Sequence, residues 1–90
     1  MPAPTTIVYT RHAREKFAIL ARYGFPIAEQ QVEETIREPA LVMQQTADRL
    51  IAQKEISEHH LLRVVYRIAG EVATVITFYP ARRRRYETQL

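Results

Sequence analysis

The apolar residues of this chain change their spacing at Pro39, and that change constrains the fold more than any other feature. Before it, Ala13, Phe17, Leu20 and Ala21 recur at helical intervals, as do Ala28, Val32, Thr35 and Ile36; such stripes line one face of a helix. After it, "LVMQQ" (41–45), "RLIAQKEI" (49–56), "HLLRVVYRIA" (60–69) and "EVATVITFY" (71–79) follow a period of two, rich in β-branched and aromatic residues. That is the pattern of strands. The proline cannot continue a helix, and it pushes Glu38 before it out of the α region.

The first residues complete the order. "TTIVYT" (5–10) predicts a short strand, with Thr10 at the N-cap of a helix over 11–23 that Gly24 ends. A second helix is expected over 26–38, with Ala28 near the position where a capping side chain usually stands. The sequence therefore predicts an α+β fold of order β-α-α-β-β-β-β, with two N-terminal helices packed on one face of a mostly antiparallel sheet. At 90 residues and 47% apolar content the chain can build one core, so residues 1–90 are expected to form a single domain.

The last two strands read as a hairpin. With a three-residue loop "AGE", Ile68 lies opposite Val72 and one face carries Leu62, Val64, Tyr66, Ile68, Val72, Thr74, Ile76 and Phe78 as core, whereas a two-residue loop shifts this register. The other face then carries Leu61, Arg63, Val65, Arg67, Ala73, Val75, Thr77 and Tyr79, with Arg63 opposite Thr77 and close to Tyr79. Pro80 is expected to end the strand, so that Arg82 to Arg85 emerge at the edge of that face.

Several chemistries are excluded by composition. With no cysteine there is no disulfide, no thiolate nucleophile and no cysteine zinc site, and the three histidines are not spaced as metal ligands. No metal or cofactor is expected. The opening "MPAPTTIVYTRHARE" reaches charged residues after a short apolar run, unlike a signal peptide, and nothing approaches the ~20 apolar residues of a membrane span. A soluble, cytoplasmic protein is expected.

The charge is segregated along the chain. Arg11, Arg14, Lys16 and Arg22 face only Glu15 in the first part, whereas Glu29, Glu33, Glu34, Glu38, Asp48, Glu55 and Glu58 outweigh Arg37, Arg49 and Lys54 in the middle. Arg63, Arg67 and Arg82 to Arg85 then outweigh Glu71 and Glu87. Of the thirteen basic residues only Lys16 and Lys54 are lysine. Arginine's planar fork suits phosphate, so if the two basic ends meet, a polyanion such as RNA is the expected partner.

The strand ending in "YTRHAREKF", the Gly-Phe turn, the helix "EQQVEETI" closed by "REP", and "LRVVYRIAGEVATVITFYPARRRR" resemble small domains grouped beside the BrnT- and RelE-type toxins of bacterial toxin–antitoxin pairs. The resemblance spans residues 7 to 85. It implies a RelE-like fold, a cognate antitoxin protein, and metal-independent endoribonuclease action on mRNA, free or ribosome-bound. In that chemistry the ribose 2′-hydroxyl attacks its neighbouring phosphate, which requires a base, an acid for the leaving 5′-oxygen, and cations for the phosphorane. His12, Arg63, Tyr79 and Tyr86 are the candidate catalytic residues, Tyr86 because RelE-type toxins use a C-terminal tyrosine. Lys16, Arg82, Arg83, Arg84 and Arg85 are the candidate RNA-binding residues.

Each candidate has a plainer reading beside it. His12 caps or packs at the helix start, Arg63 and Arg67 pair with the acidic helix or with antitoxin carboxylates, and the arginine run is a solvated tail. His59 and His60 lie at a strand entrance and are expected to be solvated. The alternative function is a non-catalytic basic module that binds RNA or protein on the same fold.

Overall fold

The computed structural model describes residues 4–83. The elements follow the expected order: β1 (Thr6–Tyr9), α1 (Arg11–Arg22), α2 (Glu29–Arg37), β2 (Leu41–Gln44), β3 (Leu50–Glu55), β4 (His60–Ala69) and β5 (Val72–Arg82). One five-stranded sheet runs β1-β5-β4-β3-β2, antiparallel except for the parallel pair of β1 with β5. Pairing the first strand with the last leaves the helices to cross one face of the sheet from the β1 edge to the β2 edge. α1 packs on β5 and β1, and α2 on β4 and β3.

Capping residues set the helix ends. Thr10 is the N-cap of α1, its Oγ1 accepting from the Ala13 amide at 3.1 Å. Helix α2 begins at Glu29 and not at Pro26: Ala28, with extended backbone, is the N-cap, but it has no side chain with which to cap. Gln31 reaches back instead, its Oε1 accepting from the Ala28 amide at 2.8 Å. Gly24 adopts φ +82°, the left-handed turn that closes α1.

The core lies between helices and sheet: Ala13, Val32 and Ile36 from the helices against Ala52, Leu62, Val64, Tyr66, Ala73, Val75 and Phe78. Phe17 rests against Phe78, with ring centroids 4.6 Å apart, and against Tyr9 at 5.7 Å. Ala73 and Val75 belong to this core, contrary to the expected hairpin faces. The loop is the two residues Gly70 and Glu71, with Ala69 opposite Val72, and a bulge follows: Tyr66 pairs with Val75 but Val65 with Thr77, leaving Ile76 over. The shorter loop turns Ala73 and Val75 to the core, so Val72, Thr74 and Ile76 give up the positions assigned to them, and the extra residue then exchanges the faces again and returns Phe78 to the core.

Pro80 does not end β5. The strand continues to Arg82, with Pro80 opposite Leu62 and Arg82 opposite His60. Arg83 donates its amide to the His59 carbonyl at 3.0 Å, which makes every second pair back along the strand a hydrogen-bonded one. Pro80 falls between these pairs, so its missing N–H faces the side that β1 has already vacated after Tyr9, where no acceptor is lost.

A polar network on the helix side ties α1, α2 and β1 together. Tyr9 donates its hydroxyl to Glu33 Oε2 at 3.3 Å, Arg14 lies over the Tyr9 ring with Cζ 4.3 Å from its centroid, Arg14 pairs with Glu29, and Arg37 pairs with Glu33 at 3.2 Å. Burial, then the Glu33 and Glu29 carboxylates, raise the Tyr9 phenol above its ordinary value of 10.0, and burial raises Tyr66 as well. An unfolded chain loses these protons from about pH 10 while the fold retains them, so their contribution is intact below that pH and lost as pH rises above it. Chemical denaturation at pH 9 and pH 11 should show stability falling at the higher pH, and Tyr9→Phe should make that fall smaller.

Candidate functional site on the face opposite the helices

Strand register assembles a polar row on the sheet face turned away from the helices. Gln53 on β3 lies opposite Arg63 on β4, which lies opposite Tyr79 on β5. Arg63 Nη1 donates to Gln53 Oε1 at 3.0 Å and its Nε donates to the Tyr79 hydroxyl at 3.1 Å, with Cζ 5.9 Å from the tyrosine ring centroid. Gln53 and Arg63 are buried, at 2% and 8% exposure, and Tyr79 is half-buried. Arg63 therefore faces Tyr79 directly and not Thr77, the residue expected opposite it, because the bulge and the shorter loop shift the register by two.

Thr77 stands two residues before Tyr79 on the same face, ~7 Å away along the strand. Its Oγ1 lies 3.3 Å from His12 Nε2. His12 is exposed on the first turn of α1, and the N-cap residue determines where that turn begins. Thr10 donates its hydroxyl to the carbonyl of the bulge residue Ile76 at 3.2 Å and its amide to the Val75 carbonyl at 3.0 Å. The bulge is thus the anchor of α1, and this anchoring brings His12 to β5. Lys16 sits one turn further along α1, partly buried.

The arginines beyond Pro80 do not act as one block. Strand alternation places Arg82 on the helix side, opposite His60, and Arg83 on the side of Thr77 and Tyr79. Arg83 pairs with Glu55 at 2.8 Å and donates to the Glu58 carbonyl at 3.1 Å, which ties the end of β5 to the β3–β4 loop. Arg84, Arg85 and Tyr86 lie outside the described residues. Of the other histidines, His59 is exposed and His60 packs edge-on against Phe25 with ring centroids 4.7 Å apart. Among the described residues no group of His, Cys, Asp or Glu is arranged to hold a metal ion, and no helix is long and apolar enough to cross a membrane.

Sequence alone does not single out Gln53 or Thr77. Gln53 looks like the solvent-side residue of an alternating strand, and only the pairing of β3 with β4 reveals that it meets an arginine. Thr77 becomes visible once the bulge and the position of α1 are known together.

No family model and no curated protein sequence matches the chain. Among solved structures it is similar to the Brucella abortus ribonuclease toxin BrnT, with a TM-score of 0.53, 20% sequence identity, and coverage of 86% of this chain and 97% of that one. The chain has a BrnT-like fold. The expected architecture of two helices against a mixed, mostly antiparallel sheet is therefore matched both in the element order and in this neighbour.

Because Thr10 joins the helix cap to the bulge, Thr10→Val should lower stability by about 1–2 kcal/mol, the usual cost of a missing N-cap, and Thr10→Ser by much less. Urea denaturation measures both. The His12 ring resonances should also move in the valine variant, since the first turn of α1 is no longer tied to β5.

Proposed function

We propose that the chain is the toxin of a bacterial toxin–antitoxin pair and that it cuts mRNA by transesterification on the β5 face. One observation carries this reading: His12, Thr77, Tyr79 and Arg63 converge on β5 in a fold shared with a ribonuclease toxin. The ~7 Å between Thr77 and Tyr79 leaves room for a phosphodiester between the imidazole and the phenol.

In the proposed reaction His12 takes the proton of the ribose 2′-hydroxyl as its oxygen forms a bond to phosphorus. The bond from phosphorus to the 5′-oxygen breaks, and Tyr79 gives its hydroxyl proton to that oxygen, leaving a 2′,3′-cyclic phosphate and a 5′-hydroxyl end. Arg63 already donates to the Tyr79 oxygen, so negative charge left there by the departing proton meets a hydrogen bond that needs no rearrangement. Arg63 also lends its charge to the phosphorane from behind the tyrosine. Tyr86 is a second candidate acid. Lys16, Arg83, Arg84 and Arg85 hold flanking phosphates, and Arg82, on the helix side, holds the RNA strand where it passes around the end of β5, on RNA that is free or on the ribosome, in the cytoplasm. The antitoxin covers the same arginines with an acidic segment.

Induction in a bacterial host, with mRNA 5′-ends mapped during translation, tests the reading. The parent should generate new ends and arrest growth, and purified protein should still cut in EDTA. Tyr79→Phe and His12→Ala should each cut ~10²-fold more slowly. The Arg82→Ala, Arg83→Ala double variant should bind RNA more weakly, with a salt slope shallower by about 0.7 for each phosphate it no longer neutralises. Glu55→Gln is its control, since it removes the Arg83 ion pair and leaves the arginine in place. Intact mRNA and normal growth after induction of the parent would overturn the proposal.

A further inference from the structure

We infer that Gln53 is a positioning residue: it fixes the Arg63 guanidinium against Tyr79 through an acceptor that carries no charge. The inference rests on the proposed RNA cleavage for its kinetic consequence and on geometry alone for the positioning itself. Gln53 is buried at 2% exposure in the middle of a sheet face, flanked on its own strand by Ile51 and opposite Leu41 and Arg63. A buried amide is unfavourable unless it is hydrogen-bonded. Its Oε1 accepts from Arg63 Nη1 at 3.0 Å, on the arm of the guanidinium remote from Nε, which donates to Tyr79 at 3.1 Å. The planar fork is thus held at two points on opposite sides, by β3 and by β5, and it has little freedom to rotate about either hydrogen bond.

The choice of amide over carboxylate is the informative part. A glutamate at this position has the same length and accepts the same hydrogen bond. It would also set a negative charge beside the guanidinium and subtract from the positive field that reaches Tyr79, whatever other contacts Arg63 makes. Glutamine holds the arginine without that subtraction. A residue that serves a reaction with developing negative charge prefers the neutral acceptor. Burial by itself also favours the neutral acceptor, since a carboxylate must be desolvated, so it is the rate of cleavage and not stability that separates a positioning role from a packing one.

Three variants and two readouts decide it. Gln53→Glu should fold with a melting temperature at or above that of the parent, yet its kcat for RNA cleavage should fall ~10-fold or more with KM changed less than about threefold. Gln53→Leu should lose both kcat and thermal stability, and Gln53→Asn, too short to reach, should resemble the leucine variant. Cleavage by Gln53→Glu at the parent rate would overturn the inference. The second readout needs no activity: the Arg63 Nε–H resonance, followed by 15N-edited NMR, should be sharp in the parent and shifted or broadened in Gln53→Leu. An unchanged Arg63 resonance in the leucine variant would overturn the positioning role. A parent that cuts no RNA would overturn the proposed function instead, and the resonance would still decide whether Gln53 holds Arg63.

Discussion

One hydroxyl group organises the half of the molecule that carries the candidate site. Thr10 Oγ1 accepts from the Ala13 amide and so starts α1, and the same oxygen donates to the carbonyl of Ile76 at the β5 bulge. A bulge leaves a backbone carbonyl out of step with the ladder, and a helix start leaves amides without partners; the threonine joins the two defects. The joint has consequences in both directions. It sets the point on β5 where α1 begins, and hence which strand residue His12 can touch. It also stabilises the exchange of faces that sends Val75 inward to the core and Thr77 and Tyr79 outward together.

The face away from the helices is graded from interior to surface. Gln53 and Arg63 are buried, Tyr79 and Thr77 are half-buried, and His12 is exposed. Charge placed in the low-dielectric end of such a series acts more strongly on its neighbours than charge in water does. An arginine buried behind a tyrosine is a weak means of gathering a polyanion from solution and a strong means of influencing the tyrosine. The surface cations have the complementary property, since their attraction is long-ranged but screened by salt. Binding and chemistry on this face thus draw on different arginines.

Much of the architecture is legible in the sequence because it follows from local rules. The apolar period on either side of Pro39 specifies the class of every element but β1, which its β-branched run marks, and Thr10 and Gly24 mark both ends of α1 with no help from the rest of the fold. The sequence misleads where a tertiary interaction overrides a local rule. Ile76 is an ordinary β-branched strand residue, and nothing local says that it is passed over in the pairing; the Thr10 hydroxyl that captures its carbonyl stands far away in sequence. Pro80 is a strand breaker by composition, but it is accommodated because β1 stops short and leaves its nitrogen facing an open edge. The candidate residues His12, Arg63 and Tyr79 can be chosen by type, whereas Gln53 and Thr77 acquire meaning only through partners on other elements. Tyr86 and the last two arginines of the run lie outside the described residues.

The parallel pairing of β1 with β5 also means that the candidate site cannot form before β5 has been synthesised. His12 and Thr77 are separated by 65 positions, and the strand that holds Thr77 follows every other described element. Long-range closure of this kind comes late, after the local helices and hairpins. A chain still being synthesised can form α1 and α2, but it has no β5 for β1 to join and no second half of the site. The order in which residues leave the ribosome thus keeps the imidazole apart from the tyrosine and arginine until β5 has emerged.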